Sequence, residues 1–229
     1  MAPSVSPDIQ KVTAIEPAFA ETLSSLINSL LKTKDEILIA LSGGPTAKRC
    51  YEYFFSQFKS VINFDKLNLI IGDERCVSES DPDSNYGMIK SILELNSILP
   101  AKLVPLSCNT IGKQTQVILD AFKTIDIIHL GLGGDGHTAS LFPDSPALKL
   151  DESVNIALNE DPHGVNPHKR ITLTLGPINS ALYRIITVSG AEKADILKRA
   201  LDGEPLPINQ LNRTDLIWLI DEDAASKLA

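Results

Sequence analysis

The sequence lacks an excess of positive charge, and this limits the partners that the protein can bind. Its 229 residues contain 21 lysines and arginines against 29 aspartates and glutamates, for a formal net charge of −8 at pH 7. Proteins that bind nucleic acids set clustered basic side chains against phosphates, whereas the basic residues here are outnumbered and spread along the chain. The composition therefore argues against a nucleic-acid partner.

The chain also lacks any apolar run near the roughly 18 residues that a membrane-spanning helix needs. The segment from Met1 to Val12 contains Asp8 and has no apolar stretch of the kind found in a secretory signal. We therefore expect a soluble, cytoplasmic protein without a membrane partner.

Cysteine is scarce, with Cys50, Cys76 and Cys108 as the three examples and no CxxC or CxxH spacing among them. An odd number of cysteines without such spacing fits neither a disulfide framework nor a zinc site. We expect all three to be small buried residues of a protein in a reducing compartment.

The remaining composition is that of an ordinary folded protein, with 43% hydrophobic and 22% charged residues. These values exclude a disordered chain, a collagen and a coiled coil. A chain of this length buries roughly 70% of its unfolded surface and can form a hydrophobic core without disulfides or bound metals. We expect a single domain over residues 1–229, with a small lobe allowed within part of residues 140–210.

Helical and strand-like segments alternate along nearly the whole chain. Apolar residues between Leu23 and Leu31 recur at the spacing of an amphipathic helix, whereas short continuous apolar runs are typical of strands buried on both faces. The predicted helices lie near 17–31, 47–58, 85–94, 114–123 and 191–201, and the predicted strands near 36–41, 67–71, 103–106, 126–130, 170–175, 184–188 and 216–220. This order predicts a three-layer α/β/α fold with a mostly parallel, Rossmann-like sheet.

Two of the strand ends lead into segments that could bind an anion. Residues 42–46, Ser-Gly-Gly-Pro-Thr, precede a predicted helix, and backbone N–H groups at a helix N-terminus bind phosphate well, although an ordinary tight turn has the same composition. Residues 73–75, Asp-Glu-Arg, place two carboxylates and a guanidinium at the next strand end, as a surface charge cluster also would.

A third strand end contains Gly131, Gly133 and Gly136, which satisfy the GxGxxG pattern of dinucleotide-binding proteins. That fingerprint requires a long helix after its last glycine, but Pro143 follows soon afterwards. We therefore expect no NAD site. The same segment places His137 two residues after a carboxylate, and histidine suits general-base chemistry at neutral pH, although a lone loop histidine is often inert.

Other chemistries find no support in the sequence. It contains neither the GxxxxGK[ST] pattern of nucleotide hydrolases nor the GxSxG elbow of serine hydrolases. His129 is predicted to lie in a strand as a core or edge residue, and no two histidines have metal-ligand spacing. Arg170 and Lys193 lie at strand ends, where cations could concentrate an anionic ligand or simply face solvent.

Taken together, these segments resemble the 6-phosphogluconolactonase family of the short, sugar-phosphate-isomerase-like type. The matching stretches cover most of the chain in the expected order and are residues 41–46, 71–77, 84–86, 130–143, 168–174, 190–193 and 216–221. Residues 130–143, GLGGDGHTASLFP after Leu130, carry most of the specificity. The resemblance implies a smaller α/β lobe beside the main sheet and hydrolysis of 6-phospho-D-glucono-1,5-lactone in the pentose phosphate pathway.

The resemblance also implies a role for ten residues. His137 would be the base that activates water, Asp73 and Asp135 would orient water, substrate or the imidazole, and Arg75 would hold the phosphate or the ring substituents. The residues implied to bind the 6-phosphate are Ser42, Gly43, Gly44, Thr46, Arg170 and Lys193. No cofactor and no metal are expected, and the chain should be a monomer or a weak homo-oligomer.

One departure and two alternatives accompany this resemblance. Pro45 stands where the family usually has serine and removes one N–H donor from the loop. A glucosamine-6-phosphate deaminase/isomerase has a glutamate five residues after the loop histidine, but this chain has Phe142, which cannot relay a proton. A non-catalytic sugar-phosphate sensor would need a partner surface or a DNA-binding segment, and the acidic sequence shows neither.

Overall fold

A computed structural model describes residues 7–228. Residues 1–6 and residue 229 lie outside the described range. Part of the expectation about a signal segment concerns residues 1–6 and is therefore not described. Within that range no helix combines the length and the apolar composition needed to cross a bilayer.

Ten strands within residues 7–228 form two sheets. The strands are β1 (Asp8–Val12), β2 (Ile37–Leu41), β3 (Leu67–Ile71), β4 (Asp73–Arg75), β5 (Lys102–Val104), β6 (Ile127–Gly131), β7 (Ile156–Asn159), β8 (Arg170–Leu173), β9 (Tyr183–Val188) and β10 (Leu216–Asp221). Seven of them pair in parallel in the order β1-β10-β9-β6-β2-β3-β5. The predicted mostly parallel sheet is confirmed.

In the described part of the chain, six α-helices cover this sheet on both faces. They are α1 (Ile15–Leu30), α2 (Pro45–Gln57), α3 (Asn85–Leu95), α4 (Lys113–Phe122), α5 (Leu175–Ser180) and α6 (Ala194–Leu201). The apolar faces of α1, α2 and α3 pack into one core cluster, and those of α4 and α6 pack into the other. Side chains of β2 alternate between the clusters, Ile37 and Ile39 on one side and Leu38 on the other, as expected of a strand buried on both faces. The predicted three-layer arrangement is therefore confirmed.

The second sheet has three antiparallel strands in the order β4-β8-β7. Residues 73–75 were expected at the end of a strand of the main sheet, but they form a separate strand of the second sheet. The strand predicted near residues 170–175 is present, but the expectation that it belongs to the main parallel sheet is wrong. The chain leaves β3 at Gly72, whose carbonyl accepts a hydrogen bond from Leu173 N at 2.8 Å, so that the chain pairs with β8 instead. Two strands of this sheet lie within residues 140–210 and one does not; the division into a domain with a lobe stays a prediction.

The expectation of three free thiols is wrong for one pair. Cys76 and Cys108 form a disulfide, with Cα atoms 5.5 Å apart and a sequence separation of 32. Cys76 follows β4 and Cys108 follows β5, and the pairing depends on how these two loops meet, which spacing does not reveal. Cys50 is free and buried as expected, and burial raises the pKa of its thiol to about 12.

Candidate active site

One cavity of about 580 Å³ opens at the carboxyl ends of the strands, the edge where open α/β sheets bind ligands. Its size falls within the usual range for small-molecule sites. Nine of the ten predicted residues line it: Ser42, Gly43, Gly44, Thr46, Asp73, Arg75, His137, Arg170 and Lys193. The tenth, Asp135, contacts His137 from behind.

The loop after β2 leads directly into the N-terminus of α2. Gly44 takes a φ of 90°, which favours glycine, and Pro45 occupies the first helical position, where its missing N–H costs little. Gly43 is required by close packing, since a Cβ there would lie 1.9 Å from Oδ1 of Asn85. The backbone N–H of Ser42 is not free for an anion, because it donates to the Tyr51 hydroxyl at 2.8 Å.

The loop after β6 presents the candidate base. His137 N lies 3.1 Å and His137 Nδ1 lies 2.5 Å from Oδ1 of Asp135, so a single carboxylate oxygen accepts from both. Burial alone would raise the pKa of Asp135, but the hydrogen bonds and charge of His137 outweigh it, and that pKa is lowered. With Nδ1–H directed at an ionised carboxylate, the lone pair lies on Nε2.

The backbone of the same loop leaves room for the imidazole ring. A Cβ on Gly133 would lie 2.1 Å from His137 Nδ1, whereas one on Gly134 would meet open space. Two hydrogen bonds close the turn, from Gly133 N to His137 O at 2.8 Å and from Gly136 N to Gly133 O at 3.0 Å. Residues 137–145 that follow form turns and an isolated bridge, so no long helix begins at Gly136 to support a dinucleotide site.

Asp73 is a buried carboxylate held in place by two residues that the sequence reasoning did not single out. Its Oδ2 accepts a hydrogen bond from Ser140 Oγ at 2.7 Å, and its backbone carbonyl accepts one from Asn85 Nδ2 at 2.8 Å. Ser140 lies three residues after His137, so this contact joins the β4 strand to the loop of the candidate base. Asn85 and Ser140 also line the cavity.

Two arginines are neighbours in the second sheet, because Arg75 of β4 lies directly opposite Arg170 of β8 in the antiparallel pairing. Arg170 is only 7% exposed, and burial followed by the charge of Arg75 lowers its pKa. Arg75 donates from Nη1 to the Asp83 carbonyl at 2.6 Å, yet both Nε atoms are buried without a hydrogen-bond partner among residues 7–228. Adjacent cations with unpaired donors are suited to an anionic ligand.

Lys193 reaches the cavity from the segment that follows β9. It ends a 3₁₀ turn, Ala191–Lys193, which precedes α6, and its Nζ donates to the Leu132 carbonyl at 2.9 Å. The loop after β9 is tied to α2 by Arg49, whose Nη2 donates to Ser189 Oγ at 3.1 Å. The strand order β9-β6-β2 therefore brings Lys193, the loop after β6 and residues 42–46 to one edge.

The family model described as glucosamine-6-phosphate isomerases/6-phosphogluconolactonase matches residues 10–218. The chain belongs to this family. A 6-phosphogluconolactonase from Synechocystis sp. is 33% identical, over 100% of this chain and 99% of the relative. A solved 6-phosphogluconolactonase from Trypanosoma cruzi has a TM-score of 0.83 at 25% identity, covering 99% of this chain and 98% of its own. The family resemblance predicted from the sequence is confirmed.

A second branch of the glucosamine-6-phosphate isomerase/6-phosphogluconolactonase family shares the fold. A solved monomeric glucosamine-6-phosphate deaminase has a TM-score of 0.80 at 20% identity, over 96% of this chain and 99% of its own. At that identity the likeness shows the fold alone, and the reaction must be argued from the site. Phe142 is buried, and its ring centroid lies 5.0 Å from that of His137.

Proposed function

We propose that this chain hydrolyses 6-phospho-D-glucono-1,5-lactone to 6-phosphogluconate, the lactone step of the oxidative pentose phosphate pathway. One observation carries the proposal: an imidazole paired with a carboxylate lines the same cavity as three cationic side chains, Arg75, Arg170 and Lys193. A lactone is an activated ester, so a positioned base with donors around the developing oxyanion is enough to open it.

In the proposed reaction, His137 Nε2 takes a proton from water as the water oxygen forms a bond to C1 of the lactone. The carbonyl oxygen gains negative charge, which guanidinium N–H groups can stabilise. The tetrahedral intermediate then collapses, the bond between C1 and the ring oxygen breaks, and the imidazolium returns a proton to that oxygen. Asp135 stabilises the imidazolium between these steps. No metal and no covalent intermediate are part of the proposal.

Binding of the 6-phosphate orients the lactone in the cavity. We place the phosphate against Gly43, Gly44 and Thr46 at the start of α2, with Lys193 as its counter-charge, because all four line the cavity and Arg49 ties α2 to the loop that leads to Lys193. We then place Arg75 and Arg170 toward the lactone ring, which moves Arg170 from the phosphate role that the resemblance implied, because it pairs with Arg75 in the second sheet. Asp73 orients the water or the sugar hydroxyls. Because the remote phosphate is held, C1 has a fixed position relative to His137. Part of the binding free energy then lowers the activation free energy of the reaction.

The deaminase alternative is disfavoured by Phe142. A deaminase of this family uses a carboxylate at that position to assist ring opening, and a buried phenyl ring next to the imidazole can neither accept nor donate a proton. A coupled assay of lactone disappearance above its spontaneous rate, run beside an assay of ammonia release from glucosamine-6-phosphate, tests the proposal. We expect turnover of the lactone alone; ammonia release without lactone turnover would overturn it.

We also propose that the chain acts as a monomer or weak homo-oligomer. For its location we propose the cytoplasm, since a charged sugar phosphate does not cross membranes unaided. Disulfides are rare in that compartment, so Cys76 and Cys108 should be reduced there. Thiol alkylation during cell lysis, followed by mass spectrometry, checks this; an intact disulfide would contradict a cytoplasmic location.

A further inference from the structure

Three buried polar side chains form a row beneath the loop of residues 42–46. Tyr51 Oη lies 2.7 Å from His129 Nδ1, and His129 Nε2 lies 2.9 Å from Thr187 Oγ1. Tyr51, His129 and Thr187 are 0%, 2% and 4% exposed, and they come from α2, β6 and β9. The row therefore crosses the layer between helix and sheet and ends at the cavity, which Thr187 lines.

The first contact sets the direction of the hydrogen bonds. The backbone N–H of Ser42 can only donate, and it donates to Tyr51 Oη at 2.8 Å. The Tyr51 hydroxyl hydrogen then needs an acceptor, and among residues 7–228 the remaining partner of that oxygen is His129 Nδ1. Tyr51 therefore donates to Nδ1, since the opposite direction would leave a buried hydroxyl hydrogen unpaired.

The same reasoning continues through the imidazole. His129 is enclosed by Phe19 and Tyr51, with ring centroids 4.4 Å and 5.4 Å away, and burial lowers its pKa to about 3. A neutral ring that accepts at Nδ1 carries its hydrogen on Nε2, so His129 donates to Thr187 Oγ1. Within the described chain the Thr187 hydroxyl hydrogen has no acceptor, and it remains available to a ligand in the cavity.

We propose that Thr187 is a phosphate-binding residue of this enzyme, and that Tyr51 and His129 are positioning residues that hold its hydroxyl as a donor. The proposal rests on the proposed function and adds a contact to it. Thr187 lies two residues before Ser189, which Arg49 ties to α2, and its row of hydrogen bonds begins at Ser42 N, so we place its hydroxyl beside the phosphate. A phosphate dianion offers only acceptors and matches a fixed donor, whereas a sugar hydroxyl competes less well.

Replacement of Thr187 by valine tests the donor directly, because it keeps the branched shape and removes the hydroxyl. A hydrogen bond to a charged group is worth roughly a 10- to 100-fold change in affinity. We expect Thr187→Val to raise the Kd of inorganic phosphate and of 6-phosphogluconate, and the KM of the phosphorylated lactone, by at least about tenfold. The loss should be much larger with the phosphorylated lactone than with unphosphorylated glucono-1,5-lactone, and Thr187→Ser should restore binding.

Thr115→Val is the matched control, since Thr115 is also a buried threonine but donates to the Pro105 carbonyl away from the cavity. It should lower stability without raising the Kd of phosphate. The tautomer of His129 gives an independent readout: ¹⁵N NMR should find its hydrogen on Nε2 in the wild type, and Tyr51→Phe should shift it toward Nδ1.

Phosphate binding by calorimetry keeps this test separate from the reaction. If the wild type hydrolyses the lactone but Thr187→Val binds phosphate as tightly as Thr115→Val, the inference fails and the proposed function stands. If the wild type binds phosphate through Thr187 but shows no lactone turnover, the proposed function fails and the contact stands. A hydrogen on Nδ1 of His129 in the wild type would overturn the positioning roles.

Discussion

The Asp135 carboxylate meets His137 at a single oxygen, with Oδ1 2.5 Å from Nδ1 and 3.1 Å from the backbone N of the same residue. One side chain thereby fixes the turn and the orientation of the imidazole. The contact also leaves the lone pair on Nε2. In the proposed reaction, the negative charge of Asp135 stabilises the imidazolium that forms when Nε2 takes a proton from water.

Asp135→Asn keeps the size and an acceptor oxygen but removes the charge. We expect kcat for lactone hydrolysis to fall roughly 10- to 100-fold, because the imidazolium loses its counter-charge while the turn persists. The measurement is steady-state kinetics of lactone disappearance. In His137→Ala the same second substitution should cost nothing further, and an additive loss in the double variant would show that Asp135 acts independently of the histidine.

Gly133 and Gly134 form a matched pair for testing the position of the ring. Alanine at 133 would place a methyl group 2.1 Å from His137 Nδ1 and displace the imidazole, whereas alanine at 134 points into open space. We expect Gly133→Ala to lose most of its kcat and Gly134→Ala to stay near wild type. Equal rates in the two variants would mean that the ring position does not limit turnover.

His129 should make stability fall in mild acid. Burial lowers its pKa to about 3, whereas in the unfolded chain the imidazole binds a proton below its ordinary pKa of about 6.5. Between these values unfolding takes up one proton, so stability is full above about pH 6.5 and is lost as the pH falls toward 3, by at most about 1.4 kcal/mol per pH unit. His129→Gln should lack this dependence, and denaturant unfolding at pH 7, 6 and 5 compares the two.

The disulfide should contribute stability in proportion to the loop that it closes. For a sequence separation of 32, the loop-entropy relation gives about 3 to 4 kcal/mol. We expect the double variant Cys76→Ser, Cys108→Ser to unfold at a correspondingly lower denaturant concentration. A dithiol reductant should destabilise the wild type by a similar amount and leave the double variant unchanged; a reductant effect on both proteins would place the cause elsewhere.

The sequence predicted the placement of those candidate residues that follow strands. Residues 42–46, 73–75 and 135–137 were expected to lie close together because a parallel sheet brings its carboxyl ends to one edge, and their roles stay predictions. The second sheet was missed, since β4 has three residues, two of them acidic, and no apolar pattern marks it as a strand. A continuous apolar run in the sequence does indicate a short buried strand, and β3 was predicted in this way with its observed bounds.

Residues that act through tertiary contacts were not predictable in the same way. Ser140 is significant because it reaches Asp73, 67 positions earlier in the chain. His129 was predicted as a core or edge residue and is indeed buried, but its bonds to Tyr51 and Thr187 depend on the packing of α2 and β9 against β6. Distances of this kind become visible only after the chain has folded.

The proposed reaction depends on His137 as the general base for lactone hydrolysis, and a comparison of the wild type with His137→Ala tests this role. Initial rates of lactone disappearance above the spontaneous rate are measured for the wild type and His137→Ala, with the Kd of 6-phosphogluconate measured on both. We expect kcat of His137→Ala to be roughly 10²- to 10⁴-fold lower than that of the wild type, with binding of 6-phosphogluconate largely retained. A His137→Ala protein that turns over the lactone at the wild-type rate would contradict it.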